Sequence, residues 1–276
     1  MSASAHSFYR RLSLLTAGLP ALVLGMLFYG TALLLWPVGL LTQVASAIIG
    51  QPLALSGFLL LAFIGLSRIL SWLGFMASGV PARRRKPDAT QQLLLDELLA
   101  RGSAVALPLA PQLVELGPVP YLAAGGLTGN ELWISTHTLG NTPLSVLRCM
   151  VAHEAGHVVL GSRRLGCAWV DLTWLAAYVV ADLLAQWPLA IAAAAALHIS
   201  LWLRLQAWYA ARAEEAADRW AAQQTSLLGY ARSLAVYMTA IEQPGGPLLR
   251  RRLAALGLEP EQLEMIMEEA RRSVAG

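Results

Sequence analysis

Charge is scarce in this chain. Only 13% of its 276 residues are Asp, Glu, Lys or Arg, while 57% are apolar. A globular domain in water carries about 25% charged residues, so the deficit predicts that much of the surface meets lipid. The net charge of +3 is too small to suggest a nucleic-acid partner. Cysteine is nearly absent: Cys149 and Cys167 stand alone, which excludes a disulfide framework. No small-residue cleavage site clearly follows the first apolar run, so that run reads as a retained span and not as a signal peptide. Internal repeats and low-complexity linkers are missing as well.

What is present is a series of apolar runs. Leu12–Trp36, preceded by Arg10 and Arg11, is long enough to cross ~30 Å of hydrocarbon as a helix. A second span fits about Pro52 to Trp72, with Arg68 reaching toward headgroups. Trp169–Trp187 and Leu189–Tyr209 form a second pair. The connections Pro37–Gly50 and Gln186–Pro188 carry no Lys or Arg, whereas Arg83, Arg84, Arg85 and Lys86 cluster after the second run. That asymmetry predicts four spans with both termini and Arg83–Lys86 in the cytoplasm. Anionic lipid headgroups are a compatible partner for the basic cluster.

Between and after the runs the pattern is that of a folded domain. Asp88–Arg101 reads as an amphipathic helix with Asp88 as its N-cap and Gly102 as its stop. Leu113–Leu116, Val119–Ala123 and Glu131–Ser135 are strand candidates, with turns at Gly125-Gly126 and Gly129-Asn130. Ser145–Leu160 reads as a helix started by Thr142-Pro143. The segment after Ala210 is polar and helical in pattern, broken at Gly245-Gly246-Pro247 and again at Gly257. The expected organisation is therefore an N-terminal pair of spans (1–80), a cytoplasmic region with a short sheet (81–166), a second pair of spans (167–209) and a C-terminal helical region (210–276). The expected fold is a mostly α-helical integral membrane protein: four transmembrane helices plus a small cytoplasmic α+β domain.

The chemistry sits in His153-Glu154-Ala155-Gly156-His157. Residues four apart share a helix face, so both imidazoles can reach one metal ion. Glu154 is offset by one and can serve a water at that metal. Zinc lowers the pKa of a bound water from 15.7 toward about 7, and a nearby carboxylate then takes the proton. Two buried histidines beside an incidental Glu would leave a carboxylate unpaired, at a cost. A catalytic zinc needs a third protein ligand. The best source is Arg212-Ala213-Glu214-Glu215-Ala216-Ala217-Asp218, where Glu214 and Asp218 share one helix face. One of them can bind metal while the other orients a ligating histidine through its second ring nitrogen. Arg212 is a candidate for stabilising developing negative charge, His137 reads as a surface-loop histidine, and Cys149 as a buried structural cysteine.

HEAGH, two further apolar runs and then E-x-x-A-D together resemble metallopeptidase family forty-eight, which holds the HtpX proteases and the CAAX prenyl proteases, with HtpX the nearer in order of parts. The resemblance spans Leu12 to about Ala222, with its specific motifs confined to His153–His157 and Glu214–Asp218. It implies a Zn2+ ion on His153, His157 and Glu214, catalysis by Glu154, support from Asp218 and Glu214 in place of Glu215 as ligand. Pro120–Gly125 departs from the family's groove-lining stretch, and Glu215 stands where an aromatic is common, the marks of a divergent branch. The implied activity is hydrolysis of peptide bonds in membrane or misfolded proteins, within a bacterial-type cytoplasmic (inner) membrane, with protein substrate and lipid bilayer as partners. Competing readings are an intramembrane protease, disfavoured by Arg148, Arg163 and Arg164 close to the motif, a BlaR/MecR-type signalling metalloprotease, and a non-catalytic membrane scaffold.

Overall fold

The computed structural model describes residues 72–102, 109–125, 131–160, 188–241 and 247–275, with Phe8, Arg11, Leu12, Leu15, Ile69 and Leu70 besides. The chain divides into two compact units. One comprises Met1–Arg11, Gly79–Arg163 and Ala211–Gly276, the other Leu12–Ser78 and Arg164–Ala210. The chemistry-bearing residues all belong to the first.

In that unit a 3-10 turn at Pro81–Arg83 leads into strand β1 (Arg84–Arg85). Helix α1 follows at Ala89–Gly102. Its start is a reciprocal capping pair: Asp88 Oδ1 accepts from the Gln91 amide at 2.8 Å, and Gln91 Oε1 accepts from the Asp88 amide at 3.1 Å. Two of the amides that a helix start leaves without partners are thereby satisfied. Strands β2 (Ala110–Val114), β3 (Leu122–Gly125) and β4 (Glu131–Ser135) complete a four-stranded sheet of order β1-β2-β4-β3. β2 runs parallel to β4, and β3 runs antiparallel to it, pairing Ala124 with Leu132. β3 is thus an edge strand.

A polar knot fixes where that edge strand starts. Ser135 caps helix α2 (Thr136–Asn141) by accepting from the Thr138 amide, and its hydroxyl donates to the Val119 carbonyl at 2.9 Å. The Tyr121 amide donates to Thr138 Oγ1 at 2.8 Å. These groups are buried, where an unmade bond is expensive, so the chain entering β3 is held in one place. Helix α3 (Leu144–Val159) carries the HEAGH motif and packs against α1, β3 and the later helix Leu227–Ile241. Helix α4 (Pro188–Gln224) contributes its Ala211–Gln224 part to this unit. α5 (Leu227–Ile241), α6 (Pro247–Ala255) and α7 (Pro260–Ala275) follow. Gly257, at φ +77°, supplies the left-handed residue that turns the chain from α6 into α7. Leu98, Leu132, Ile134, Leu147, Leu234 and Leu253 lie in one continuous buried core.

The expected membrane architecture is overturned here. Among the described residues no helix is long and apolar enough to cross a membrane. Four transmembrane helices and multi-pass placement in a bacterial-type inner membrane lose their basis. The run Leu189–Tyr209 meets described backbone, and the reason is visible in its residues. Ala190 and Ala192–Ala196 supply much of its length, whereas membrane insertion is driven by larger side chains such as Leu, Ile, Phe and Val. His198, Arg204 and Gln206 interrupt it, and the same helix runs on into Arg212, Glu214 and Asp218. The runs Leu12–Trp36 and Trp169–Trp187, and most of Pro52–Trp72, fall outside the described residues. The basic cluster also has another role. Arg84 and Arg85 are strand β1, paired with Val114 and Leu113. Arg84 lies over the Trp133 ring at 5.1 Å, and Arg85 meets Glu115 at 3.2 Å.

Candidate metal centre

The site forms where α3 crosses α4, and two small residues set how close the helices come. A Cβ on Gly156 would lie 3.2 Å from the Cα and the carbonyl oxygen of Ala217 and 3.2 Å from the Trp220 ring. His153 and His157 flank Gly156 on α3, while Glu214 and Asp218 flank Ala217 on α4. Close backbone approach therefore brings two pairs of polar side chains face to face in an otherwise apolar contact.

His153 Nε2 and His157 Nε2 are 3.1 Å apart. Glu214 Oε2 lies 3.3 Å from the first, and Glu214 Oε1 lies 3.2 Å from the second. One donor atom from each residue is within 4.8 Å of the others, and His153 is buried. Zinc takes bonds of about 2.0–2.1 Å to nitrogen and 2.0–2.2 Å to oxygen, and in a tetrahedron these place donor atoms about 3.3 Å apart. The two-histidine, one-carboxylate set, with its donor atoms gathered within reach of one ion, fits zinc.

Behind the triangle His153 is held by its other ring nitrogen. Nδ1 lies 2.9 Å from Asp218 Oδ1 and 3.2 Å from the Tyr230 hydroxyl, which itself donates to Asp218. Asp218 is fully buried and also accepts two bonds from Arg252, Nε to Oδ2 at 2.8 Å and Nη2 to Oδ1 at 2.6 Å. Four donors thus converge on one carboxylate. Burial pushes the Asp218 pKa up, but the bonds from Arg252 and His153 outweigh it and hold it at about 2. Burial pulls His153 down, but Asp218 and Glu214 outweigh that and carry it up to about 9. Glu214, although desolvated, is held far below the usual carboxylate range by His153, His157 and Arg252. Burial and the neighbouring Asp218 charge raise the Tyr230 phenol, which stays a neutral donor.

Glu154 lies about 100° round α3 from His153 and faces β3. Its Oε2 accepts from the Ala124 amide of β3 at 2.6 Å. The carboxylate expected to act as base therefore sits between the motif helix and the sheet edge.

The remaining candidates stand apart. Glu215 is buried but turned away from the triangle, paired with Arg212 at 3.2 Å and Arg251 at 2.8 Å. Arg212 is committed to that pair. His137 shares a bond with Asn141 one helical turn on, at 3.1 Å, on the surface. Cys149 is a free, buried core cysteine, and Cys167 lies outside the described residues. Sequence reasoning missed Arg252 and Tyr230. Arg252 carried a signal: with Leu249, Leu253 and Leu256 it occupies one helical stripe, where a charge is out of place unless it is paired. Tyr230 carried none, because an aromatic on a core stripe is ordinary. No protein-family model, curated protein or solved structure matches the chain.

Proposed function

We propose that this protein is a zinc-dependent endopeptidase, with His153, His157 and Glu214 as metal ligands and Glu154 as general base. The observation that carries the reading is that His153 Nε2 and His157 Nε2, 3.1 Å apart, each meet an oxygen of the one Glu214 carboxylate at 3.2–3.3 Å. Two such nitrogens and one carboxylate are the ligand set of hydrolytic zinc sites that keep one position open. When bound, zinc supplies Lewis acidity, polarising a carbonyl and easing the loss of a proton from water. Glu154, one residue from the ligand face, takes that proton and delivers it to the leaving nitrogen. Asp218, fixed by Tyr230 and Arg252, holds His153 so that Nε2 faces the ion.

The substrate side of the reading rests on β3. An edge strand recognises an extended polypeptide through main-chain hydrogen bonds, and this one runs beside Glu154. A peptide added to β3 brings its backbone carbonyls past the base without any demand on side-chain identity.

The test is Glu154→Gln, with zinc content and hydrolysis of an unfolded protein measured on the same preparation. The expected result is one zinc per chain and a rate lowered ~10²–10⁴-fold. A variant that cleaves at the wild-type rate removes Glu154 from the mechanism. Wild-type protein that binds zinc but hydrolyses nothing would leave a metal-binding scaffold.

A further inference from the structure

Beyond helping to fix Asp218, Arg252 has no task in the endopeptidase reading. It lies on α6, 99 positions from His153 in sequence, and is buried. Two of its nitrogens fork onto Asp218. The third, Nη1, reaches Glu214 Oε2 at 3.2 Å and Met238 Sδ at 3.7 Å. Nη2 also comes within 3.4 Å of both His153 ring nitrogens. A guanidinium with one carboxylate partner would be a structural ion pair. This one serves two carboxylates, one of them a candidate ligand.

The two oxygens of Glu214 are consequently unlike. Oε1 faces His157 alone, whereas Oε2 faces His153 and Arg252. A guanidinium charge at 3.2 Å polarises the nearer carboxylate oxygen and draws electron density toward itself. Oε2 is therefore the poorer donor to a metal, and Oε1 the better. Charge points the same way. Glu214 and Asp218 together would neutralise a divalent ion, and Arg252 restores one positive charge at van der Waals range. An ion that keeps net positive charge stays a stronger Lewis acid.

We infer that Arg252 is a positioning residue that holds Glu214 to one-oxygen ligation through Oε1, keeping a coordination position free while offsetting the charge of Asp218. The inference rests on the metal-site reading above. Neighbouring Arg251 helps to present it: its bonds to Glu215 at 2.8 and 3.2 Å fix α6 against the same stretch of α4. Two successive arginines thus grip the consecutive glutamates and Asp218.

The experiment uses cobalt(II) as the probe, because its visible absorption is intense in four-coordinate sites and weak in five- or six-coordinate ones. Full-length wild type, Arg252→Gln and Arg252→Lys are loaded with cobalt, and metal content and spectrum are recorded. Wild type is expected to bind one cobalt with the intense band. Arg252→Gln is expected to keep one cobalt while the band falls several-fold, as Oε2 joins the coordination sphere. Arg252→Lys preserves a buried cation for folding, and its single ammonium cannot serve both carboxylates, so its band is expected to fall part of the way. Unchanged spectra in both variants overturn the inference. Loss of metal from both overturns it as well, since Arg252 would then build the site and not set how Glu214 binds. Wild type that takes up neither cobalt nor zinc is a different failure, that of the metal-site reading itself.

Discussion

At the scale of single residues, the adjacent glutamates of α4 divide their work by direction. Neighbouring positions on a helix point about 100° apart, so Glu214 faces the histidines while Glu215 faces Arg212 and Arg251. Glu214→Ala is expected to abolish zinc retention. Glu215→Ala is expected to keep one zinc per chain and to cost little stability, because both of its arginines are more than half exposed and regain water. Zinc content of the two purified variants decides this, and the reverse pattern would move the ligand to Glu215. Tyr230 sets a second test. Its hydroxyl bonds Asp218 in a fully buried position. Tyr230→Phe removes one donor without a change of shape and is expected to destabilise by about 1–3 kcal/mol. It is also expected to weaken zinc binding about 10–100-fold, the usual effect of losing support behind a ligating histidine. A metal affinity equal to wild type would show that Asp218 needs only its other donors.

At the scale of elements, the crossing of α3 and α4 governs the site. Gly156→Ala places a methyl group 3.2 Å from two backbone atoms of Ala217, which cannot rotate away as a side chain can. The helices must part by a few tenths of an ångström, at an overpacking cost of about 1–3 kcal/mol. Glu214 retreats with α4, so zinc affinity is expected to fall along with the melting temperature. Stability loss with unchanged affinity would mean that the ligands follow the shift. The elements readable from sequence were those whose signals are local. The α3 helix, the Asp88 cap, strand β4 and the break at Gly257 each announce themselves within a few residues. The cluster of His153, His157 and Glu214 was legible in part because HEAGH puts both histidines on one helix face, while the choice of Glu214 over Glu215 came from the family resemblance. What escaped depends on distant pairing. β1 is two arginines that become a strand through Leu113 and Val114, so in isolation they looked like a flank to an apolar run. Arg252 reaches His153 across 99 positions, a distance no periodicity spans. The run Leu189–Tyr209 misled for a related reason: it was read by length, and Ala192–Ala196 adds length to α4 without the bulk that favours hydrocarbon.

At the scale of the whole molecule, the proposed metal ion would compete with a proton for the same histidine, and the stability of the protein would record the contest. In the metal-free chain His153 titrates at about 9, raised from an ordinary 6.5. Between those two values the folded protein holds a proton that the unfolded chain has released. Its stabilising contribution is complete below pH 6.5 and is lost as pH rises through 9. The metal-free melting temperature is therefore expected to fall across that window, by up to about 1.4 kcal/mol of stability per pH unit. Asp218 leaves this window untouched, because its depressed pKa withdraws stability only as pH falls from 3.8 toward 2. Zinc bound as proposed is expected to reverse the trend. A ligating nitrogen must be deprotonated, so the ion displaces the His153 proton and binds more tightly as pH rises. Binding to the folded state alone adds about 2.7 kcal/mol when free zinc stands at 100 times its dissociation constant. The difference in melting temperature between zinc-loaded and EDTA-treated protein should therefore grow steadily from pH 6.5 to 9. A difference that stays flat over that range would mean that zinc does not replace the proton on His153, and the ligand assignment would fall with it.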